Sequence, residues 1–125
     1  MLGDSPIHPV LLSTDLGTTR AFYHDQLGLE VLAESDAALE FRCGQGTRLV
    51  VTLSMTGTKD TQTQVGWDVP DLRAELDGLR SRGVKIEEYD LPGLNTVDGI
   101  ADVGFALYAW IVDPSGNVLG VAQPK

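Results

Sequence analysis

The sequence predicts an α+β fold made of two βαβββ modules. A strand-like run ending in Asp-Leu occurs twice, at residues 8–16 and again at 64–72. Each Asp-Leu opens a helix-length segment that closes on a glycine, Gly28 or Gly83. Each half then offers three short apolar runs divided by turn residues. Matched order, matched Asp-Leu pairs and matched glycines make chance a poor explanation of the repeat.

The elements follow in order. The first strand holds Val10, Leu11 and Leu12, and Asp15 stands where a helix N-cap belongs, its carboxylate free to accept orphan backbone N–H groups. In the helix that follows, Leu16, Thr19, Tyr23 and Leu27 share a face, with Phe22 beside them. Strands are expected at 29–34, 37–43 and 47–54, the last two joined by the turn Gly44-Gln45-Gly46. The polar stretch 55–63 connects the halves. The second half opens on a strand from Gln64 and is capped by Asp71, and Leu72, Leu76 and Leu79 recur at helical spacing. That helix starts acidic and ends on Arg80 and Arg82, which suits its dipole. Strands are expected at 84–89, 105–112 and 118–123. The last two flank Asp113-Pro114-Ser115-Gly116-Asn117, a strong turn signal. Residues 90–104 read as a loop carrying Leu91, Leu94, Val97 and Ile100, which either covers a ligand site or plugs the end of a sheet.

Composition narrows the function. With 125 residues, one domain is expected over 1–125, its modules at about 6–54 and 64–123. Hydrophobic residues at 42% and charged residues at 22% argue against a disordered or disulfide-stapled chain. No apolar run approaches a membrane span, and the N-terminus lacks the pattern of a secretory signal. The single Cys43 cannot form an internal disulfide, so a reducing cytoplasm is the expected location. A net charge of −9 without a basic run makes nucleic acid a poor partner. The charge serves solubility, or it attracts cationic ligands.

The repeated modules, the segment Ala21-Phe22-Tyr23 with Leu27-Gly28-Leu29, and the late Asp-Pro-Ser-Gly-Asn turn together resemble the vicinal oxygen chelate superfamily. That superfamily holds glyoxalase I, bleomycin-resistance proteins, fosfomycin-resistance enzymes and extradiol dioxygenases. The resemblance implies curled mixed sheets forming a shared cleft, and a homodimer. It also implies four metal-ligand positions, which fall here on His8, Gln64, Val50 (with Thr52 next on its face) and Gly120. One good ligand and one weak one fall short of the three that a catalytic zinc needs, so no metal and no cofactor are expected.

Alternation along strands places His8, Val10 and Leu12 on one cleft face, with Val50 and Thr52, and with Val118, Gly120 and Ala122. By likeness to the fosfomycin-resistance relatives, Trp110 reaches the substrate, with Tyr108 on the same face. The candidate ligand-binding set is therefore His8, Val10, Val50, Thr52, Gln64, Tyr108, Trp110 and Gly120, where the missing side chain of Gly120 leaves room for a ligand ring. Trp67, out of register with Gln64, is expected against a helix, and Tyr89 borders the cleft. His24 is expected on the solvent face. Asp68 or Asp90 could steer a cation. Neither Ser13 nor Ser115 has a base at a defensible spacing, and nothing marks Cys43 as activated.

Three functions stay open. The first is a metal-free protein that sequesters a hydrophobic or cationic aromatic compound such as an antibiotic. The second is a glyoxalase-like lyase, isomerase or dioxygenase using His8 with or without a metal. The third is a structural dimer with no ligand.

Overall fold

Two short polar caps set the helices, and the computed structural model, which describes residues 1–125, shows both in place. Asp15 accepts from Thr18 N at the start of α1 (Leu16–Arg20), and Asp71 accepts from Ala74 N at the start of α2 (Leu72–Ser81). Gly28 and Gly83 take φ of 81° and 82°, a conformation that suits glycine at a helix exit. Beyond Arg20 the first helix widens into a π-turn over Ala21–Gln26, with Leu27 N bonded to Phe22 O. Thr19, Phe22 and Tyr23 face the core, while Leu16 and Leu27 are half-buried.

The first module adds β1 (Val10–Ser13), β2 (Glu30–Glu34), β3 (Ala38–Arg42) and β4 (Arg48–Leu53). They form a sheet in the order β1-β4-β3-β2, with β1 parallel to β4 and the other pairs antiparallel. The second module adds β5 (Thr63–Asp68), the small strands β6 (Asp90–Leu91), β7 (Leu94–Asn95) and β8 (Ala101–Asp102), then β9 (Ala106–Val112) and β10 (Val118–Pro124). Its main sheet runs β5-β10-β9-β8, again with one parallel pair, β5 with β10. The fold is thus α+β with two open mixed sheets of matched topology.

One expected strand is not formed as read. Residues 84–89 run beside β9 but make a single ladder bond, Glu87 N to Trp110 O at 2.9 Å. At Tyr89 the chain leaves the sheet: Tyr89 N donates to Thr96 Oγ1, and Thr96 N donates to Tyr89 O. The excursion forms the β6–β7 hairpin, and the chain rejoins the edge at β8, where Ala101 pairs with Tyr108. An inserted hairpin has split the edge strand in two and taken the backbone partners of its middle.

One apolar cluster joins the modules. Leu11, Leu39, Phe41, Leu49 and Val51 from the first sheet and Ala109, Ile111, Leu119 and Val121 from the second pack with Tyr23, Leu72, Leu76 and Leu79. Burial of this kind supplies most of the favourable folding free energy. A polar clasp lies beside it. Asp113 accepts from Tyr23 Oη (2.6 Å), Asn117 Nδ2 (2.7 Å) and the N–H groups of Ser115 and Asn117 (both 2.9 Å). Asn117 Nδ2 also donates to Leu12 O, and Thr58 Oγ1 donates to Asn117 Oδ1. The Asp-Pro-Ser-Gly-Asn turn therefore ties the second module to β1 and to the first helix.

Candidate functional site

Alternation sends Leu11, Leu39, Phe41, Leu49 and Val51 to the core, so Val10, Leu12, Val50 and Thr52 share the opposite, outer face. Val10 pairs with Val50 and Leu12 with Thr52 across the β1–β4 ladder. This face is left open, with Val10 51% and Leu12 37% exposed. His8 lies just before β1, exposed, its Nδ1 3.4 Å from Arg48 Nη2. Arg48 is in turn held by Glu40 Oε1 at 2.6 Å.

The second sheet brings the other candidates together more closely. Gly120 pairs with Trp110 and Ala122 with Tyr108. The Tyr108 and Trp110 rings stack with centroids 5.2 Å apart and planes inclined by 26°. Tyr89 meets Trp110 edge-on at 5.5 Å. The indole N–H of Trp110 donates to Thr63 Oγ1 at 3.1 Å, which fixes the plane of the ring. Three aromatic rings thus form one half-buried surface, with Tyr89 held in it by the hairpin through Thr96.

Glycine at 120 has a different use from the one expected. A Cβ there would lie 2.6 Å from Tyr108 Cε1, and a Cβ at Gly66 would lie 3.4 Å from the Tyr108 hydroxyl. The room above Gly120 is filled by the protein's own Tyr108, which lies flat across β10 towards β5. The missing side chain therefore seats the aromatic surface and leaves no space there for a ligand ring. Gln64 is exposed on β5, where its amide donates to Gln62 O. The hydrogen bonds and ring contacts of these candidates stay within their own sheets.

The four family positions do not fit a metal. His8 has a guanidinium beside it, Gln64 turns its amide to its own backbone, Val50 carries no donor, and the space at Gly120 is occupied by a ring. No three His, Cys, Asp or Glu side chains gather where they could hold an ion. Nucleophile chemistry finds no better footing. Ser13 is buried against Thr19 at 2.6 Å, and Ser115 Oγ accepts from Thr14 N. Burial pushes the Cys43 thiol up, against a smaller downward pull from its contact with the Trp67 indole, and a raised thiol is a poor thiolate source.

Two features lay outside the sequence reading. A cavity of about 440 Å³ opens between Ile7, Pro9, Cys43 and Arg48 on one side and Trp67 and Asp68 on the other. None of the eight candidate residues lines it. Trp67 also borders a cavity of about 190 Å³ with Glu75 and Leu79 of α2. The second feature is Glu87. Its neighbour Ile86 is buried, so Glu87 shares the outer face with Tyr89. Burial, and then the Glu87 charge, hold the Tyr89 phenol above its ordinary range. The only sequence signal for Glu87 was its even spacing from Tyr89 on a strand that proved to be split. His24 is exposed, with Nδ1 2.7 Å from Leu29 O.

Comparison with known proteins bears on the fold and the family. The model of the Glyoxalase/Bleomycin resistance protein/Dioxygenase superfamily matches residues 6–121. The chain belongs to this superfamily. Among solved structures, it is similar to TnmS3, an antibiotic-binding protein from Streptomyces sp. CB03234, with a TM-score of 0.73 and 23% identity over 97% of each chain. It is also similar to a bleomycin-binding protein complexed with bleomycin, with a TM-score of 0.72 and 19% identity over 97% of this chain and 99% of that one. A glyoxalase/bleomycin resistance protein/dioxygenase from Alicyclobacillus acidocaldarius aligns with a TM-score of 0.74 and 18% identity, over 97% of this chain and 92% of that one. At these identities the likeness establishes the fold. No curated protein sequence matches the chain significantly. No helix is long and apolar enough to cross a membrane.

Proposed function

We propose that this superfamily member is a metal-free protein that sequesters a hydrophobic or cationic aromatic compound such as an antibiotic, and that it works as a homodimer. The observation that carries the reading is the joined aromatic surface of Tyr108, Trp110 and Tyr89 on the outer face of the second sheet. Such rings offer a large flat area with little rotamer freedom to lose, which suits stacking on a planar ligand. The open apolar face of Val10 and Leu12 on the other sheet supports a second copy as its cover, and light scattering in solution tests that assembly. The charge of −9 favours the approach of cations over anions. Antibiotic binding by two similar folds supports the choice of ligand class.

The test is a fluorescence and thermal-shift titration with bleomycin and a panel of flat aromatic compounds. A ligand of this class is expected to quench Trp110 and raise the melting temperature. Trp110→Ala is expected to weaken it by about tenfold, the scale of one lost stacking contact. Unchanged affinity in that variant would count against the reading.

A further inference from the structure

We infer that Glu87 is the specificity-determining residue of this aromatic surface, selecting ligands in which a cationic group is attached to a flat ring stacked on Trp110. The inference rests on the reading of Tyr89, Tyr108 and Trp110 as a ligand platform and names the chemical class that the platform prefers.

The placement comes from the backbone. Glu87 N donates to Trp110 O at 2.9 Å, which sets residues 87 and 110 side by side on neighbouring strands. Val84 and Ile86 point into the core, so Lys85, Glu87 and Tyr89 lie on the outer face. Trp110 is on that same face, because the Tyr89 ring meets its ring edge-on. Cross-strand neighbours on one face lie within side-chain reach of each other.

Glu87 is also distinct among the acidic groups near the platform. Its side chain is only 24% exposed. The neighbouring Glu88 is turned away and accepts from Thr96 Oγ1, where it braces the hairpin. Asp90 is exposed at the start of β6. Asp68 borders the cavity beside Trp67. The one cation facing Glu87 is Lys85, whose Nζ stands 3.8 Å from the carboxylate and whose side chain is 83% exposed. An ion pair that long and that wet holds its partner weakly. A carboxylate partly shielded from water, beside an indole whose face attracts cations, favours a positive group through both contacts.

The test uses two probes of matched shape in the full-length protein: the 1-naphthylmethylammonium ion and neutral 1-naphthylmethanol, each titrated by calorimetry and by thermal shift. The wild-type protein is expected to bind the cation about tenfold more tightly than the neutral ring, the scale of one charge-assisted contact. Glu87→Gln is expected to bring that ratio close to one. Lys85→Gln removes the competing ammonium and is expected to raise the ratio by a few-fold. A preference that survives Glu87→Gln, or one that falls in Lys85→Gln, overturns the assignment of Glu87 and leaves the platform standing. Binding of neither probe to the wild-type protein overturns the ligand-platform reading and the inference with it.

Discussion

Tyr23→Phe removes one oxygen from the interior and changes nothing else in shape. The ring is fully buried and keeps its neighbours Phe22 and Phe41, with centroids at 5.1 and 5.4 Å. What is lost is the hydroxyl bond to Asp113 Oδ2 at 2.6 Å, one of four donors around a carboxylate that is 4% exposed. A hydrogen bond to a charged group contributes about 1.5–3 kcal/mol, so a loss of about 2 kcal/mol is expected at neutral pH. For a domain of this size that corresponds to a fall of about 8 °C in Tm. The pH dependence provides a second, independent signature. Burial first, then the charge of Asp113 and the bond to it, hold the Tyr23 phenol far above its ordinary value. The unfolded chain releases the tyrosine proton near pH 10, whereas the native state keeps it. The contribution is thus fully present below about pH 10 and falls above it by about 1.4 kcal/mol per pH unit. The variant lacks this dependence. The gap between the two proteins is therefore expected to narrow above about pH 10 and to vanish near about pH 11.5. The other ionisable groups are common to both proteins and cancel in the difference. Denaturant unfolding of both proteins between about pH 7 and pH 11 measures the gap directly. Equal stability at neutral pH, or a gap that stays constant into the alkaline range, would refute the reasoning.

Other substitutions probe the platform and the split strand. Gly120→Ala sets a methyl group 2.6 Å from Tyr108 Cε1 and 3.2 Å from Thr63 Cγ2. The Tyr108 ring must lift from β10 and lose its stack on Trp110, at about 1–3 kcal/mol. The near-ultraviolet circular dichroism should change and aromatic ligands should bind less tightly, and an unaltered spectrum would contradict the placement. Gly99→Ala adds a Cβ at 2.5 Å from Ile86 Cγ2 at a residue with φ of +81°. Strain and overlap together should cost about 2–4 kcal/mol and lower Tm clearly, and a wild-type melting curve would show that the turn at 97–100 does not press on Ile86.

The sequence determined whatever depends on neighbours along the chain. Asp15 and Asp71 cap helices because their carboxylates reach N–H groups three residues ahead. Gly28 and Gly83 end them because the backbone there turns to positive φ. Alternation assigned faces to β1, β4, β9 and β10, which was enough to put Tyr108 and Trp110 on one surface. Tertiary structure decided what occupies the space above that surface. Gly120 reads as an opening until Tyr108, on the next strand, is seen to lie in it. Residues 84–89 have the composition of a strand, yet the hairpin bonds of Thr96 draw the chain out of the sheet at Tyr89. Asp113 and Asn117 read as turn residues, and only the fold brings Tyr23 and Leu12 to them. Caps, turns and strand faces are local and repeat with the backbone period. Which ring fills a gap, and which carboxylate stands beside it, depends on residues far apart in the chain that only the packed sheets bring within reach.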